Sequence, residues 1–209
     1  MNQPRTSLTE RRKAATQLDI ARAAAELFAR QGPGATTAEE IAARAGVALR
    51  TFYRYFRSKQ DAVGPLLASG GDRWRTLLAE AGQGGDLAQA LQDAAVASLT
   101  PADDTAEEAL RWTRGLLRAA QDDPALRSVW YDVNRESEER LLPVLTELAA
   151  PEADPVEVRL LAAAATDAIR VSLETWAATD AGTTGEGSPA ELAVRCLREV
   201  AGGLRLLAR

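Results

Sequence analysis

Segment 36–61 constrains the fold of this chain most strongly, because it joins a capped helix, a glycine turn and a second helix without a gap. Thr37 and Glu40 form a capping-box pattern, in which the hydroxyl and the carboxylate each satisfy a backbone N–H of the first helical turn. Gly46 follows where a helix commonly ends in the left-handed conformation, which glycine adopts without steric cost. This order of signals predicts a helix-turn-helix.

The second helix of the segment begins near Ala48, where Phe52 and Phe56 lie four residues apart and predict a buried face beside Val47. Such a helix either belongs to a purely structural bundle or presents its other face to a partner. The outward positions favour the groove of a polyanion, because they combine cations, hydroxyls and aromatic rings. They are Leu49, Arg50, Thr51, Tyr53, Arg54 and Tyr55.

The composition of the chain favours an all-α fold, with about nine helices in total. The chain has 209 residues, of which 46% are hydrophobic but only 5% are aromatic. Alanine, leucine, arginine and glutamate dominate, and these residues favour helices over strands. The apolar content is ample for one large or two small domains.

The sequence also argues against several classes of protein. No apolar run approaches the roughly 20 residues that span a bilayer, and the polar start lacks the apolar core of a secretory signal. One cysteine, Cys196, and no histidine leave no internal disulfide, no Cys/His metal cluster and no Ser-His-Asp or Cys-His pair. We therefore expect a cytoplasmic protein that is not an enzyme, with no catalytic residue, metal, cofactor or membrane partner.

Charge divides the chain into two parts. The formal net charge is −5, yet residues 1–60 contain eleven basic and five acidic side chains, whereas residues 61–209 contain fourteen basic and twenty-five acidic ones. A basic N-terminal third on an acidic remainder is typical of a small DNA-binding domain joined to a separate body. We predict a DNA-binding domain in residues 1–60 and a larger helical domain in residues 61–209.

Residues 1–13 carry a concentration of basic side chains, namely Arg5, Arg11, Arg12 and Lys13. They form either an arm that lies along phosphates or in the minor groove, or a frayed, solubilising terminus. Residues 8–31 then follow a helical pattern that ends at the Gly-Pro-Gly sequence of residues 32–34. This helix is expected to pack behind the helix-turn-helix.

An ordered set of apolar, glycine and aromatic residues runs through these three helices: Ile20, Ala24, Leu27, Phe28, Gly32, Thr37, Ile41, Ala42, Ala45, Gly46, Val47, Thr51, Phe52, Tyr53, Tyr55, Phe56, Ser58 and Lys59. Over residues 14–62 this set resembles the N-terminal domain of TetR-family transcriptional regulators. The resemblance implies that the helix beginning near Ala48 enters the major groove of DNA. It also implies phosphate contacts at the positions of Thr37, Tyr53 and Lys59.

The chemistry of these side chains suits the implied roles. A tyrosine hydroxyl donates to a phosphate oxygen and a lysine adds a point charge, and neither reads bases. Arg50 is the best candidate for reading a guanine edge, Leu49 can rest against a thymine methyl, and Thr51 can serve either purpose. The predicted DNA-binding residues are Thr37, Ala48, Leu49, Arg50, Thr51, Tyr53, Tyr55 and Lys59.

Two positions depart from the family pattern. Ala48 stands where the family usually has serine, and Gln60 stands where it usually has glutamate. The missing serine hydroxyl removes a helix cap worth about 1 kcal/mol and a possible phosphate contact. DNA binding is expected to survive both changes.

The rest of the chain reads as a succession of helices. A connector over residues 59–81 is interrupted at residues 64–65 and 70–71, either as a bend that transmits a signal or as a simple kink. Helices over 86–99 and up to 121 follow, with Thr105 and Glu108 as a capping box for the second. Asp123 and Pro124 begin a helix that runs to about residue 148.

The C-terminal part of the chain contains the most apolar helices. Pro143 predicts a kink at residues 139–142 of the preceding helix. An alanine-rich helix covers residues 154–179, and residues 180–187 form a flexible loop. Ser188 and Pro189 begin a last helix with an apolar stripe of Leu192, Cys196, Val200, Leu204 and Leu207.

The last two helices predict a homodimer, because one small body buries two such apolar helices poorly. The alternative is that their stripe forms the core of a monomer. The family resemblance implies a four-helix bundle made by these helices from two subunits. A two-fold dimer also presents its recognition helices about 34–36 Å apart, which matches a near-palindromic operator in double-stranded DNA.

The middle helices contain an aromatic and aliphatic set that forms either plain core or a ligand pocket. The family resemblance implies a small-molecule pocket there, and residues 124–142 and 160–176 resemble a subgroup with an acyl-CoA-like ligand-binding domain. Asp167 and Glu174 flank Arg170 in a polar line that faces either the pocket or solvent. The predicted ligand-binding residues are Trp74, Leu91, Trp112, Leu116, Trp130, Tyr131, Asn134 and Arg170.

Together these features predict a transcriptional regulator of the repressor type, which a small hydrophobic or acyl-type effector releases from its operator. The effector is expected to favour a dimer geometry that no longer matches the spacing of the half-sites. The alternative function is a DNA-binding regulator or scaffold with no small-molecule effector. Cys196 lies on an apolar stripe with no neighbouring base, so its thiol is predicted to pack rather than to react.

Overall fold

A computed structural model describes residues 7–82 and 85–202. Within these ranges the chain forms nine α-helices and one short 3₁₀ helix, Asp61–Val63, which confirms the predicted all-α fold. No helix of the described residues is long and apolar enough to cross a membrane. The α-helices are α1 Leu8–Ala35, α2 Ala38–Arg44, α3 Leu49–Tyr55, α4 Gly64–Glu80, α5 Leu87–Leu99, α6 Asp104–Ala119, α7 Pro124–Leu148, α8 Pro155–Ala177 and α9 Pro189–Gly202.

The first three helices enclose a small apolar core. Ile20 of α1, Ile41 of α2 and Phe52 of α3 are fully buried, and α1 packs against α2, the 3₁₀ helix, α4 and α6. Gly32 breaks the helical path of α1 with φ of 79°, a conformation that glycine tolerates better than other residues. The break redirects the chain into α2, as the Gly-Pro-Gly sequence predicted.

The described part of the basic N-terminal segment, from residue 7, is the cap and first turns of a helix. Ser7 and Glu10 form a capping box at the start of α1, so Arg11, Arg12 and Lys13 lie on the exposed first turns of a helix. The pattern of residues 8–31 had already predicted this helix, but the Ser7 cap was missed. Arg5 lies outside the described residues.

The remaining helices form the larger body. α4 packs against α5 and α7, α7 packs against α8, and α9 lies against both α8 and α5. Trp74 of α4, Leu145 of α7 and Trp176 of α8 are among the largest fully buried side chains. Cys196 of α9 is partly buried against this core, and burial raises the pKa of its thiol, which agrees with a packing role.

Helix α4 corrects one prediction. Pro65 lies in the first turn, where its missing N–H costs nothing, and the helix continues through Gly70 and Gly71 without interruption. A Cβ atom on Gly71 would lie 3.0 Å from Ser137 Oγ of α7. Gly71 therefore permits a close approach of two helices and does not break its own.

The cap of α7 was predicted correctly, and the cap of α6 was not. Asp123 Oδ1 accepts from the N–H of Leu126 at 3.0 Å, and α7 runs to Leu148 as predicted. For α6 the predicted cap was wrong, because Asp103 caps the helix and Thr105 lies inside it. Aspartate is among the most favourable N-cap residues, and Asp103 precedes Thr105 by two residues, so the helix begins at Asp104. The kink at Pro143 stays a prediction.

The connection between α8 and α9 is held more firmly than the predicted flexible loop. Trp176 Nε1 donates to the carbonyl of Gly182 at 2.9 Å. From α6, Arg118 NH2 donates to the carbonyl of Thr179 at 2.7 Å and to Asp180 Oδ1 at 2.9 Å. The loop is thus fixed to α6. On α9, Leu192, Cys196 and Val200 are half-buried, whereas Leu204 and Leu207 lie outside the described residues.

Candidate nucleic-acid interface and ligand cavity

The capping box of α2 has the predicted geometry. The N–H of Thr37 donates to Glu40 Oε2 at 2.8 Å, and the N–H of Glu40 donates to Thr37 Oγ1 at 3.2 Å. Hydrogen bonds from the Thr37 backbone and then from its hydroxyl lower the pKa of the Glu40 carboxyl. The exposed Thr37 hydroxyl is therefore engaged in starting the helix.

The turn between α2 and α3 also has the predicted form. Gly46 has φ of 68°, its N–H donates to the carbonyl of Ala43 at 3.1 Å, and the N–H of Val47 donates to the carbonyl of Ala42 at 2.9 Å. These two bonds make a Schellman motif, which requires a left-handed residue after the helix. The turn therefore sets the direction in which α3 leaves.

Helix α3 presents a narrower exposed face than the sequence predicted. Arg50, Tyr53 and Arg54, at i, i+3 and i+4, are exposed, while Phe52 on the opposite side is completely buried. Tyr53 is 54% exposed. Leu49 and Tyr55 are partly buried against the core, and Thr51 is also only partly exposed.

Arg54 was named as an outward residue but was not among the predicted DNA-binding residues. Its guanidinium donates to the Tyr55 hydroxyl at 3.2 Å and lies 4.9 Å from the centroid of that ring. The spacing of four residues from Arg50 already put both cations on one side of the helix. Arg54 therefore belongs to the candidate interface.

Two predicted interface residues have roles within the fold. Ala48 is the N-cap of α3 and makes no side-chain cap bond, as expected from the missing serine. Lys59 Nζ donates to the carbonyl of Thr36 at 2.8 Å and to that of Gly34 at 3.4 Å. The Lys59 ammonium thus ties the end of the helix-turn-helix to the connection between α1 and α2, and does not point freely into solvent.

A cavity of about 270 Å³ lies among helices α4 to α8 of the body. Its wall is mostly apolar, with contributions that include Leu66, Leu67 and Trp74 of α4, Leu110 of α6, and Ile169 and Leu173 of α8. Charged side chains of the wall come from α4 and α7, namely Asp72, Arg73, Glu136 and Arg140. An apolar cavity with few polar groups is typical of a small-molecule site.

Three of the eight predicted ligand-binding residues line this cavity: Trp74, Trp130 and Asn134. The Trp74 indole N–H donates to the carbonyl of Leu91 at 3.4 Å, and the amide of Asn134 donates to the carbonyl of Trp130 at 2.8 Å. Part of the aromatic set therefore lines the cavity, with α4 and α7 as walls.

The other five predicted ligand-binding residues lie away from the cavity wall. The buried Leu91 and Leu116 and the partly buried Trp112 belong to the surrounding core. Tyr131 is 51% exposed, because it is turned about 100° from Trp130 around α7, whereas Val133, Asn134 and Ser137 share the face of Trp130. Arg170 is separated from the wall by the same effect on α8, where Thr166, Ile169 and Leu173 face inward.

The polar line on α8 is a partly solvated ion-pair group outside the cavity. Arg170 Nε lies 2.9 Å from Asp167 Oδ1, and its NH1 lies 3.0 Å from Glu174 Oε2. Glu174 Oε1 also accepts from the Trp130 indole N–H at 2.7 Å. Glu174 of this ion-pair group therefore fixes the indole of Trp130, which lines the cavity.

Comparison with known proteins identifies the first part of the chain. Residues 20–63 match the family model described as bacterial regulatory proteins, tetR family. This range contains α2, α3 and the buried part of α1 that packs behind them. No curated protein matches the chain.

Solved structures share the fold of the whole chain. The TetR family repressor AlkX of Dietzia sp. strain DQ12-45-1b, implicated in biodegradation of n-alkanes, has 19% identity and a TM-score of 0.59, over 90% of this chain and 97% of AlkX. GusR of Salmonella enterica has 18% identity and a TM-score of 0.52, over 97% and 100% of the two chains. The multidrug binding protein EbrR, complexed with imidazole, has 21% identity and a TM-score of 0.56, over 88% and 93%.

Residues 20–63 are therefore similar to bacterial regulatory proteins, and α3 with its exposed face lies within this range. The chain as a whole shares the fold of solved TetR-family transcriptional regulators. The looser resemblance to an acyl-CoA-like subgroup stays a prediction.

Arg50→Ala and Tyr53→Ala are expected to affect DNA binding differently. Loss of the guanidinium should relax preference at one base position and cost about 1–3 kcal/mol at the preferred sequence, whereas loss of the phenol should weaken all sequences alike. Fluorescence anisotropy with an operator selected from random duplexes, and with its single-base variants, measures both effects.

Arg135→Ala is the matched control for these two variants. Arg135 is an exposed residue of α7 whose NH1 lies 2.7 Å from Glu139 Oε1. Its loss should leave DNA affinity unchanged. Equal binding by all three variants and the unaltered protein would remove α3 from the interface.

Proposed function

We propose that this protein is a repressor that binds a near-palindromic operator as a homodimer and leaves it when a small hydrophobic or acyl-type effector enters the cavity. The observation that carries this proposal is that α4 and α7 reach two places. Both helices line the cavity, and both begin at the helix-turn-helix domain. A ligand that separates them would therefore move the DNA-binding domain.

The proposed division of labour follows the charge of the chain. Residues 1–60 would hold the DNA, and residues 61–209 would hold the effector and the second subunit. Arg50, flanked by Leu49 and Thr51, would read bases, while Thr37, Tyr53, Arg54 and Tyr55 would hold phosphates. Lys59 would act by holding the α1–α2 connection in place. The proposed location is the cytoplasm, where the DNA lies.

The connection between the two parts is a specific hydrogen bond. Gln60 Nε2 donates to Asp123 Oδ2 at 3.0 Å, and Asp123 is the N-cap of α7. Burial disfavours the charged carboxylate of Asp123, but the bonds from Gln60 and the first turn of α7 outweigh it and lower the pKa of Asp123. A shift of α7 would therefore displace the hydrogen-bond partner of Gln60, which follows the helix-turn-helix in the chain.

The surface of α8 supports the proposed dimer. Val156 is 72% exposed, Leu160 66% and Val171 42%, and the three lie along one side of the helix at spacings of four and eleven residues. α9 packs beside α8 and adds the half-buried Leu192 and Cys196. Such an apolar stripe on adjacent helices suits a two-fold interface with a second copy of the chain.

Leu160→Glu is expected to dissociate the dimer. A buried, unpaired carboxylate from each subunit should weaken association by about 3 kcal/mol or more, which is roughly two orders of magnitude in dissociation constant. Sedimentation equilibrium over a concentration series measures the change. Leu8→Glu, at a residue of similar exposure on α1, is the control and should remain as dimeric as the unaltered chain; equal dissociation constants for both variants would refute the α8 interface.

Gln60→Ala is expected to uncouple the DNA-binding domain from α7 while leaving the Asp123 cap intact. Because coupling between sites is reciprocal, operator binding should alter amide hydrogen exchange in α4 and α7 around the cavity of the unaltered protein. The change should shrink in Gln60→Ala, because the bond that carries it is gone.

Gln89→Ala is the control for this experiment. It removes a similar side-chain bond, from Gln89 Nε2 to Asp93 Oδ1 at 2.8 Å, on the exposed side of α5. If operator binding does not change amide hydrogen exchange around the cavity of the unaltered protein, the result would favour a DNA-binding regulator without an effector.

A further inference from the structure

The cavity wall contains a hydroxyl without a hydrogen-bond partner. Thr166 of α8 is only 5% exposed, lines the cavity, and its Oγ1 is buried with no partner among the described residues. A buried hydroxyl without a partner is costly and uncommon in folded proteins. Its position in the wall of a cavity indicates that a ligand atom can supply the missing bond.

Four other threonines within helices of this protein satisfy their hydroxyls locally. Each donates to the backbone carbonyl four residues earlier, at 2.9–3.0 Å, in the usual back-bonding geometry. They are Thr16, Thr76, Thr113 and Thr146. Thr113 also lines the cavity, so a threonine in this wall can bond to its own helix. Thr166 makes no such bond.

Electrostatics around the cavity disfavours a charged ligand. The α8 part of the wall consists of Thr166, Ile169 and Leu173 and contains no ionisable group. On the side of α4 and α7, Arg140 NH2 lies 3.1 Å from Glu136 Oε2 and its NH1 lies 3.4 Å from Asp72 Oδ1. With Arg73, the four charged wall residues sum to zero, and a ligand carboxylate at Arg140 would compete with the partners Asp72 and Glu136.

We infer that the cavity binds an uncharged, largely apolar molecule with one carbonyl or hydroxyl oxygen, and that Thr166 Oγ1 hydrogen-bonds to that oxygen. The inference rests on the proposed role of the cavity as the effector site. A volume of about 270 Å³ lies just below the range of about 300–1,000 Å³ that is usual for ligand pockets, so the cavity suits a small molecule. Thr166 is thereby the residue that selects a polar oxygen in an otherwise apolar pocket.

Three probes of nine non-hydrogen atoms and the same branching test the inference: octan-2-one, 2-chlorooctane and heptanoate. The chloride replaces the carbonyl oxygen by a poor acceptor, and heptanoate replaces the terminal methyl by a charged oxygen. Binding to the full-length protein is followed by tryptophan fluorescence, because Trp74 and Trp130 line the cavity, and by calorimetry. The unaltered protein should bind octan-2-one at least about tenfold more tightly than heptanoate.

Thr166→Val should weaken octan-2-one binding about five- to tenfold and leave 2-chlorooctane within about twofold, because only the ketone loses a hydrogen bond. Thr166→Ser keeps the hydroxyl and should restore the preference. Thr113→Val is the control, because the Thr113 hydroxyl is already bonded to Ala109, and it should change both affinities alike. Without ligand, Thr166→Val should melt at the same temperature or about 2–4 °C higher, since it removes an unpaired buried hydroxyl.

The possible failures separate the inference from the proposed function. Equal loss of ketone and chloride binding in Thr166→Val would overturn the role of Thr166, while the cavity would remain an effector site. Tightest binding of heptanoate would overturn the uncharged class of ligand. If none of the three probes binds the unaltered protein, the proposed effector role of the cavity fails together with the inference.

Discussion

Two neighbouring side chains at the end of the helix-turn-helix hold it from opposite sides. Lys59 donates to the carbonyls of Gly34 and Thr36 within the N-terminal domain, and Gln60 donates to Asp123 at the start of α7. The first contact keeps the DNA-binding domain intact, and the second ties it to the body. The orientation of α3 relative to the rest of the molecule depends on this pair, together with the packing of α1 against α4 and α6.

The helices that meet this junction are also those that surround the cavity. α7 begins at Asp123 and contributes Trp130 and Asn134 to the wall about two to three turns later. Because α4 and α7 reach both the cavity and the junction, the proposed ligand between them would act on the junction without a further element. The proposed ligand can shift the balance only through different affinities for the two arrangements. Helices α4 and α7 approach closely at Gly71, where a Cβ atom would lie 3.0 Å from Ser137 Oγ.

Local signals in the sequence predicted the N-terminal domain well. The capping box at Thr37 and the left-handed turn at Gly46 each depend on a few adjacent residues, so their geometry follows from residue type. The cavity depends instead on how five helices are rotated about their axes. Residue type alone did not distinguish Trp130, which lines the wall, from Tyr131, which faces solvent. Gly71 was wrongly predicted to interrupt α4, because the residue that requires a glycine there, Ser137, lies on another helix. Thr166 gave no signal in the sequence, since its lack of a partner appears only when the neighbouring helices are in place.

We propose that two copies of α3, held at a fixed separation, read DNA. Selection of binding sites from a pool of random duplexes by the full-length protein should then enrich a near-palindrome. Its half-sites should be centred about one helical turn apart, or a multiple of it. Enrichment of a single asymmetric site, or of no sequence at all, would contradict it.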